Sequence, residues 1–321
     1  MALHNRTYYS TTWTFEEKDK NTVNLVSSVF FFFTSSVGIF GNSLFLWTLG
    51  FKMMKTVNTV WFFSLVLSGW TYSMVMPILG VFALLDFHWP FGIVMCKVVN
   101  MLLSLSMHVA VFILTIISLD RYVLVVHPIW ARHHRTPKCA TIISYSIWSA
   151  AFILSAPYLA FRELKSNERN KTICTNNYVF SDDWKTQEVQ TRRQKIHLCL
   201  FLIRLLVAFI LPFMVIASCY VSIALKVNLR SLSRSSKLIK VIMVSVVSFF
   251  VCWTPVHLYN GLILYRESVP KLLMHACMLV AAIATCVNVC FTPIFYIFIG
   301  ENFKAVFKKS LLYLIESAFH E

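Results

Sequence analysis

Seven stretches of mostly apolar residues divide the chain almost end to end: roughly 23–51, 58–84, 93–126, 139–161, 196–225, 238–264 and 271–298. Each is long enough to cross about 30 Å of hydrocarbon as a helix rising about 1.5 Å per residue. The fold class is therefore an all-α membrane protein, a seven-transmembrane helix bundle. Composition agrees: 58% of the 321 residues are hydrophobic and 13% are charged, more apolar surface than one soluble core can hide.

The runs organise the chain into an N-terminal segment (1–22), a seven-transmembrane domain (23–299) and a C-terminal segment (300–321). Glu16, Glu17, Lys18, Asp19 and Lys20 before the first run are charge-balanced, and no small-residue cleavage site follows a short apolar core. The first run thus reads as a retained signal anchor. Lysine and arginine set orientation. With the N-terminus outside, the short inner segments carry bases such as Lys52, Lys55, Arg132, Arg135 and Lys138 and, further on, the clusters 226–240 and 304–309, whereas ten of the 14 acids fall outside. Multi-pass insertion in the plasma membrane with an extracellular N-terminus is the expectation. Asn5-Arg6-Thr7 and Asn170-Lys171-Thr172 are glycosylation sequons on that outer side, though such tripeptides also arise by chance. After Gly300, Phe303, Val306 and Phe307 with Lys304, Lys308 and Lys309 read as a short amphipathic eighth helix on the membrane.

The net charge of +15 is then mostly a topology signal. No soluble basic domain or aromatic-basic stripe accompanies it, which excludes nucleic acid as a partner. Most of the nine cysteines (Cys139, Cys199, Cys219, Cys252, Cys277, Cys286, Cys290) fall in apolar helices and read as small buried hydrophobes. Cys96, at the outer start of the third run, and Cys174, in the outer loop after the fourth, sit where a disulfide persists and can hold a long loop over the bundle.

Ionisable residues inside the spans are scarce and each needs a reason. Asp120 and Arg121 fall at the inner end of the third run; they are either an interfacial ion pair that fixes helix depth or a switch that frees Arg121 when helices rearrange. Pro77, Pro157, Pro212, Pro255 and Pro293 interrupt five runs, where each removes a backbone hydrogen bond and permits a kink.

Gly41-Asn42, Cys96, Asp120-Arg121-Tyr122, Trp148, Pro212 with Tyr220, Cys252-Trp253-Thr254-Pro255, and Pro293 with Tyr296 occur in order along the whole chain. Together they resemble the rhodopsin-like (class A) G-protein-coupled receptors. "HWPFG" (88–92), "HPIWARHHRTPK" (127–138) and "GENFKAVFKKSL" (300–311) are similar to the chemoattractant group, which binds formyl peptides, anaphylatoxins and chemerin; "PYLAFRE" and "CTNNY" point to its chemerin-type members. The resemblance implies an outward ligand pocket and an inner face for a heterotrimeric G protein, of the inhibitory class. It implies that Asp120 and Arg121 form the inner lock, that Tyr122 completes their motif, that Tyr220 and Tyr296 meet the freed arginine, and that Trp253 senses ligand at the pocket floor, with Pro255 and Pro293 as hinges.

The chain departs from that family's sodium site. The positions that supply oxygens there are Gly69, Ala110, Val289 and Thr292, and Asn288 remains of the cluster. A hard cation needs several oxygen ligands and a compensating charge, so no metal site and no modulation by sodium are expected. Gly69 also reads simply as a small packing residue. Loss of the cluster leaves open a decoy that binds ligand without efficient G-protein activation.

Arg204 lies eight residues before Pro212, about 12 Å along a helix. It reads either as a guanidinium reaching for a ligand carboxylate or as one snorkelling to the outer interface. The resemblance favours the first, because formyl-peptide and anaphylatoxin receptors have an arginine at the matching place. Arg162, at the expected outer end of the fourth helix, matches an anaphylatoxin-receptor arginine. Ser104 and Leu200 replace an aspartate and an arginine of the formyl-peptide receptors, which argues against formyl peptides. Asn260 belongs with these pocket candidates. His108 and His257 face the bundle and read as satisfied interior histidines rather than pH sensors or metal ligands. The loop after the fourth run carries Arg162, Lys165, Arg169, Lys171, Lys185, Arg192, Arg193 and Lys195 against five acids, which suits an extracellular peptide or small anionic ligand. Ser310 and Ser317 are the only serines or threonines in the tail, so arrestin capture would depend on Ser231, Ser233, Ser235 and Ser236. Nothing requires a cofactor. A transporter or channel would show mid-membrane acids or an internal repeat, and an intramembrane enzyme would show paired acids, metal-ligand spacing or a phosphate loop; none occurs in the runs.

Overall fold

The computed structural model describes residues 2–166, 170–181, 183, 186–226, 232–265 and 268–297. Seven of its helical segments are long and apolar enough to cross a membrane. In chain order the helices are α1 (Ala2–Trp47), continued by a π-helical turn (Thr48–Lys52), α2 (Val57–Leu84), α3 (Gly92–Val126), the short α4 (Pro128–His134), α5 (Pro137–Ser155) and the one-turn α6 (Pro157–Phe161). The fifth span is α7 (Gln187–Leu205), a second π turn (Leu206–Ile210) and α8 (Leu211–Lys226); α9 (Leu232–Ile263) and α10 (Lys271–Ile297) complete the bundle.

Local chemistry explains several boundaries. Thr56 and Thr59 form a reciprocal capping box that starts α2, with Thr59 N donating to Thr56 Oγ1 at 3.2 Å and Thr56 N donating to Thr59 Oγ1 at 2.7 Å. Thr136 caps α5 and Pro137 follows at its first position, where a missing N–H costs nothing. Pro77 and Pro255 lie inside continuous helices. Pro157 does more than kink: α5 ends at Ser155 and Pro157 opens α6. Pro212 sits just past the π turn, where the i→i+4 ladder is already interrupted.

α3 is the centre of the bundle. Val109, Val111, Ile113 and Ser118 on it are wholly buried, and α2, α5 and α8 pack around it. α1 packs on α2 and α10, and α9 on α10. Outward-turned Phe33, Phe40, Val221 and Leu258 expose apolar area, as lipid-facing helix surfaces do. Cys139 and Cys199 belong to this outer surface too. That corrects the expectation of burial: each lies on the side of its helix that faces away from neighbours, whereas Cys219, Cys252 and Cys286 are buried.

At one end of the bundle, β1 (Arg162–Ser166) and β2 (Thr172–Asn176) pair antiparallel, with Leu164 opposite Cys174. The expected Cys96–Cys174 disulfide ties β2 to the first turn of α3, with Cα atoms 5.7 Å apart. Trp89 N donates to the Thr172 carbonyl at 2.8 Å, Thr172 N donates to His88 Nδ1 at 3.1 Å, and Lys171 bridges to Asp86 at 2.5 Å. The hairpin is thus fixed to the α2–α3 turn as well as to α3. Asn170 just before β2 is exposed, in the left-handed conformation that asparagine tolerates, with φ 57°.

Candidate functional site

The end of α3 opposite the disulfide carries Asp120 and Arg121. Arg121 Nη2 donates to Asp120 Oδ2 at 2.7 Å, and Arg135, just past α4, donates to the same carboxylate from Nε at 2.7 Å and from Nη2 at 3.1 Å. Both guanidiniums also donate to Oδ1 of Asn58, in the first turn of α2, Arg135 at 2.6 Å. The Asp120 side chain is 8% exposed, so these charge-assisted bonds are shielded from water. Tyr122 packs edge-on against His127, and the Tyr220 hydroxyl is buried beside Ser118 and Arg121 with no hydrogen bond of ordinary geometry. Sequence reasoning paired Arg121 with Asp120 but missed Asn58 and counted Arg135 only as an inner base. No local pattern marks either, because they arrive from separate segments.

Two connected cavities open towards the disulfide end: a vestibule of about 640 Å³ and a deeper chamber of about 260 Å³. Tyr158, Arg162, Arg204, Tyr259 and Asn260 line both and so form their junction. Among the described residues neither lining contains an aspartate or glutamate. Arg162 is not at an exposed helix end, as the sequence led us to expect. It is the first residue of β1 and turns inward, with Nη1 donating to the Cys174 carbonyl at 3.2 Å and Nε buried without a partner. Burial pushes its guanidinium below the ordinary arginine value, opposed by the Tyr158 and Tyr178 phenols and reinforced by Arg204. Burial likewise pushes the Tyr178 phenol up to about 12. Arg204, at the end of α7, lies over the Tyr158 ring at 4.8 Å, and Arg162 lies over the same ring at 5.3 Å. Among the described residues no acid pairs with either arginine.

Ser104 lines the deep chamber and accepts from Ser155 Oγ at 3.0 Å. His108 is satisfied as expected, its Nδ1–H donating to the Ser104 carbonyl at 2.7 Å. His257 is not: it is 5% exposed, packs against Phe209 with ring centroids 4.8 Å apart, and neither ring nitrogen has a hydrogen-bond partner. The expectation fails there because the ring packed against it, Phe209 of the π turn, offers no hydrogen-bonding atom. Trp253 lies at the chamber floor, edge-on to Tyr72 at 6.1 Å and tilted against Phe249 at 5.7 Å, with its indole N–H unpartnered.

The basic loop read from sequence also changes. α7 begins at Gln187, upstream of the apolar run, so Arg192, Arg193 and Lys195 are on a helix. Arg193 is buried; it donates to Asn177 Oδ1 at 3.1 Å and to the Ser181 carbonyl, while Asn177 Nδ2 donates to Glu163. This arginine helps hold the hairpin's exit onto α7, a role no charge count reveals.

Below Trp253, a small cavity is lined by Gly69, Ala110, Val289 and Asn288 together with Ser68, Ser106, Ser245 and Ser248. The hydroxyls of Ser68 and Ser106 donate to backbone carbonyls of Leu65 and Leu102. A Cβ at Gly69 would come within 3.2 Å of Asn42 Oδ1, so the glycine lets α1 and α2 approach closely. Pro293 lies within α10, but the side chains of Thr292, Pro293 and Tyr296 are outside the described residues, as are the Asn5 side chain and the whole of 298–321, with the expected amphipathic helix.

The sequence pattern described as "7 transmembrane receptor (rhodopsin family)" matches residues 41–296. Probable G-protein coupled receptor 33 of Homo sapiens is 45% identical over 297 residues, 92% of this chain and 89% of that protein. The Mus musculus protein of the same name is 44% identical over 285 residues, covering 89% and 83%. Chemerin-like receptor 1 of Homo sapiens is 36% identical over 290 residues, covering 89% and 77%. With seven spans, a disulfide-anchored hairpin over one cavity mouth and this extent of similarity, the chain belongs to the rhodopsin family of seven-transmembrane receptors.

Proposed function

We propose that the chain is a plasma-membrane receptor, N-terminus outside, for a chemoattractant-type peptide or small ligand bearing an anionic or carboxylate group. It passes the signal to a heterotrimeric G protein, of the inhibitory class. One observation carries the ligand reading: Arg162 and Arg204 meet at the junction of two cavities whose described linings hold no acid. Unpaired guanidiniums in a confined site are costly to keep dry and are relieved by an anion with two oxygens. The Asp120–Arg121 pair sits at the far end of the same central helix, where the basic segments place the inner face. Peptides offered with free or amidated C-termini, read by G-protein dissociation in cells, test this. Free acids should act and their amides should not, and Arg204→Gln should weaken the response by roughly tenfold or more, the scale of a charge-assisted hydrogen bond. Equal potency of acid and amide would refute the ligand reading.

A second reading, capture of ligand without efficient G-protein activation, is favoured by Gly69, Ala110 and Val289 in the cavity below Trp253. A signalling receptor loses its response on Arg121→Ala, whereas a capturing receptor has none to lose.

A further inference from the structure

Two like charges rarely share a small site without an acid between them, yet here an aromatic ring takes the acid's place. Tyr158 lies in the single turn of α6, between the break at Pro157 and the start of β1, so its ring is set by the chain reversal that carries the span into the hairpin. The guanidinium carbons of Arg162 and Arg204 lie 5.3 and 4.8 Å from its centroid, within the range of attraction between a cation and the negative face of a ring. The two arginines come from separate elements, β1 and α7, and the Tyr158 ring is in contact with both. A carboxylate in its place would hold them equally well but would neutralise them and compete with a ligand. A ring holds them and leaves the net charge intact.

We propose that Tyr158 is a positioning residue that presents Arg162 and Arg204 as one two-armed receptor for a single carboxylate, attracting both without consuming their charge. The inference rests on the carboxylate reading above. Its chemical consequence is a preference for compact carboxylic acids: both arms face the junction, from which the deep chamber, lined by Leu103, Met107 and Trp253, can take an apolar group attached near the acid.

The test uses purified full-length receptor in nanodiscs. N-acetyl-L-phenylalanine and its amide serve as probes, and the concentration giving half-maximal thermal stabilisation is the readout. Wild type should respond to the acid and not to the amide. Tyr158→Phe should respond within about threefold of wild type, and Tyr158→Leu roughly tenfold more weakly, the scale of a desolvated cation–π contact. If Tyr158→Leu gives little folded receptor, phenylalanine with a fully fluorinated ring at position 158 keeps the shape and reverses the charge of the face; it should lose the acid response while plain Tyr158→Phe keeps it. A purely structural role would not separate those two rings. If wild type distinguishes acid from amide and neither replacement weakens the response, the role of Tyr158 is overturned and the carboxylate reading stands. If wild type treats acid and amide alike, both fall.

Discussion

At the Asp120 end of the bundle, one buried carboxylate holds two guanidiniums and Asn58 Oδ1 accepts from both. At the disulfide end, two guanidiniums lie over one phenol ring, and no acid among the described residues answers them. The chain therefore satisfies its arginines from within where they tie α2, α3 and the α4–α5 junction together, and leaves them electrostatically open where a cavity reaches the surface. The first arrangement serves the fold in its resting form. The second is costly to the empty protein, and in the proposed function an arriving anion relieves it.

Removing charge should therefore have opposite consequences at the two ends. Asp120→Asn strands two poorly hydrated cations, and thermal or chemical denaturation should show a loss of about 3–5 kcal/mol, the cost of breaking a buried pair from one side. A loss below about 1 kcal/mol would mean that water or lipid headgroups already screen the cluster and that the contrast is false. Next in size is an effect at high pH. The Tyr178 phenol is pushed up to about 12 by burial, so the folded state holds that proton more tightly than the unfolded chain, whose phenol titrates near 10. Its contribution is fully present below about pH 10 and is lost as pH rises through about 12, and Tyr178→Phe should remove about 1–2 kcal/mol of that alkaline decline. Identical alkaline profiles would show that this phenol is better hydrated than its packing against Phe161 and His197 implies. Smallest is Arg204→Gln. Without ligand it should leave stability unchanged or raise it by up to about 1 kcal/mol, since it deletes an uncompensated cation. A clear loss would give this arginine a structural task and blur the comparison.

The seven spans were legible because lipid imposes one crude requirement, a long apolar run, which composition reports directly. The disulfide was legible because Cys96, at the outer start of the third run, and Cys174, in the outer loop after the fourth, fall at the same end, and Arg204 stood out as an arginine within an apolar stretch. What stayed hidden depends on which way a side chain turns. Arg162 faces the cavity because Pro157 breaks the fourth span and the chain reverses into β1, a geometry that a run of hydrophobic letters does not encode. Arg135 reaches Asp120 from beyond α4, and Asn58 reaches the two guanidiniums from the first turn of α2, so neither is marked by its own sequence neighbourhood. Cys139 and Cys199 lie in spans yet face outward, since residence in an apolar helix does not say which side meets lipid.

The π turn at Leu206–Ile210 sets the angular phase of the fifth span. One residue more per loop than the surrounding coil shifts whatever lies upstream by roughly 100° about the axis. Arg204 stands immediately on the upstream side, and Pro212 and Tyr220 stand downstream. Rewinding that turn into an ordinary coil would swing Arg204 away from Tyr158 while the other half of the rod stayed put, so the approach of Arg204 to that ring depends on how this one turn is wound.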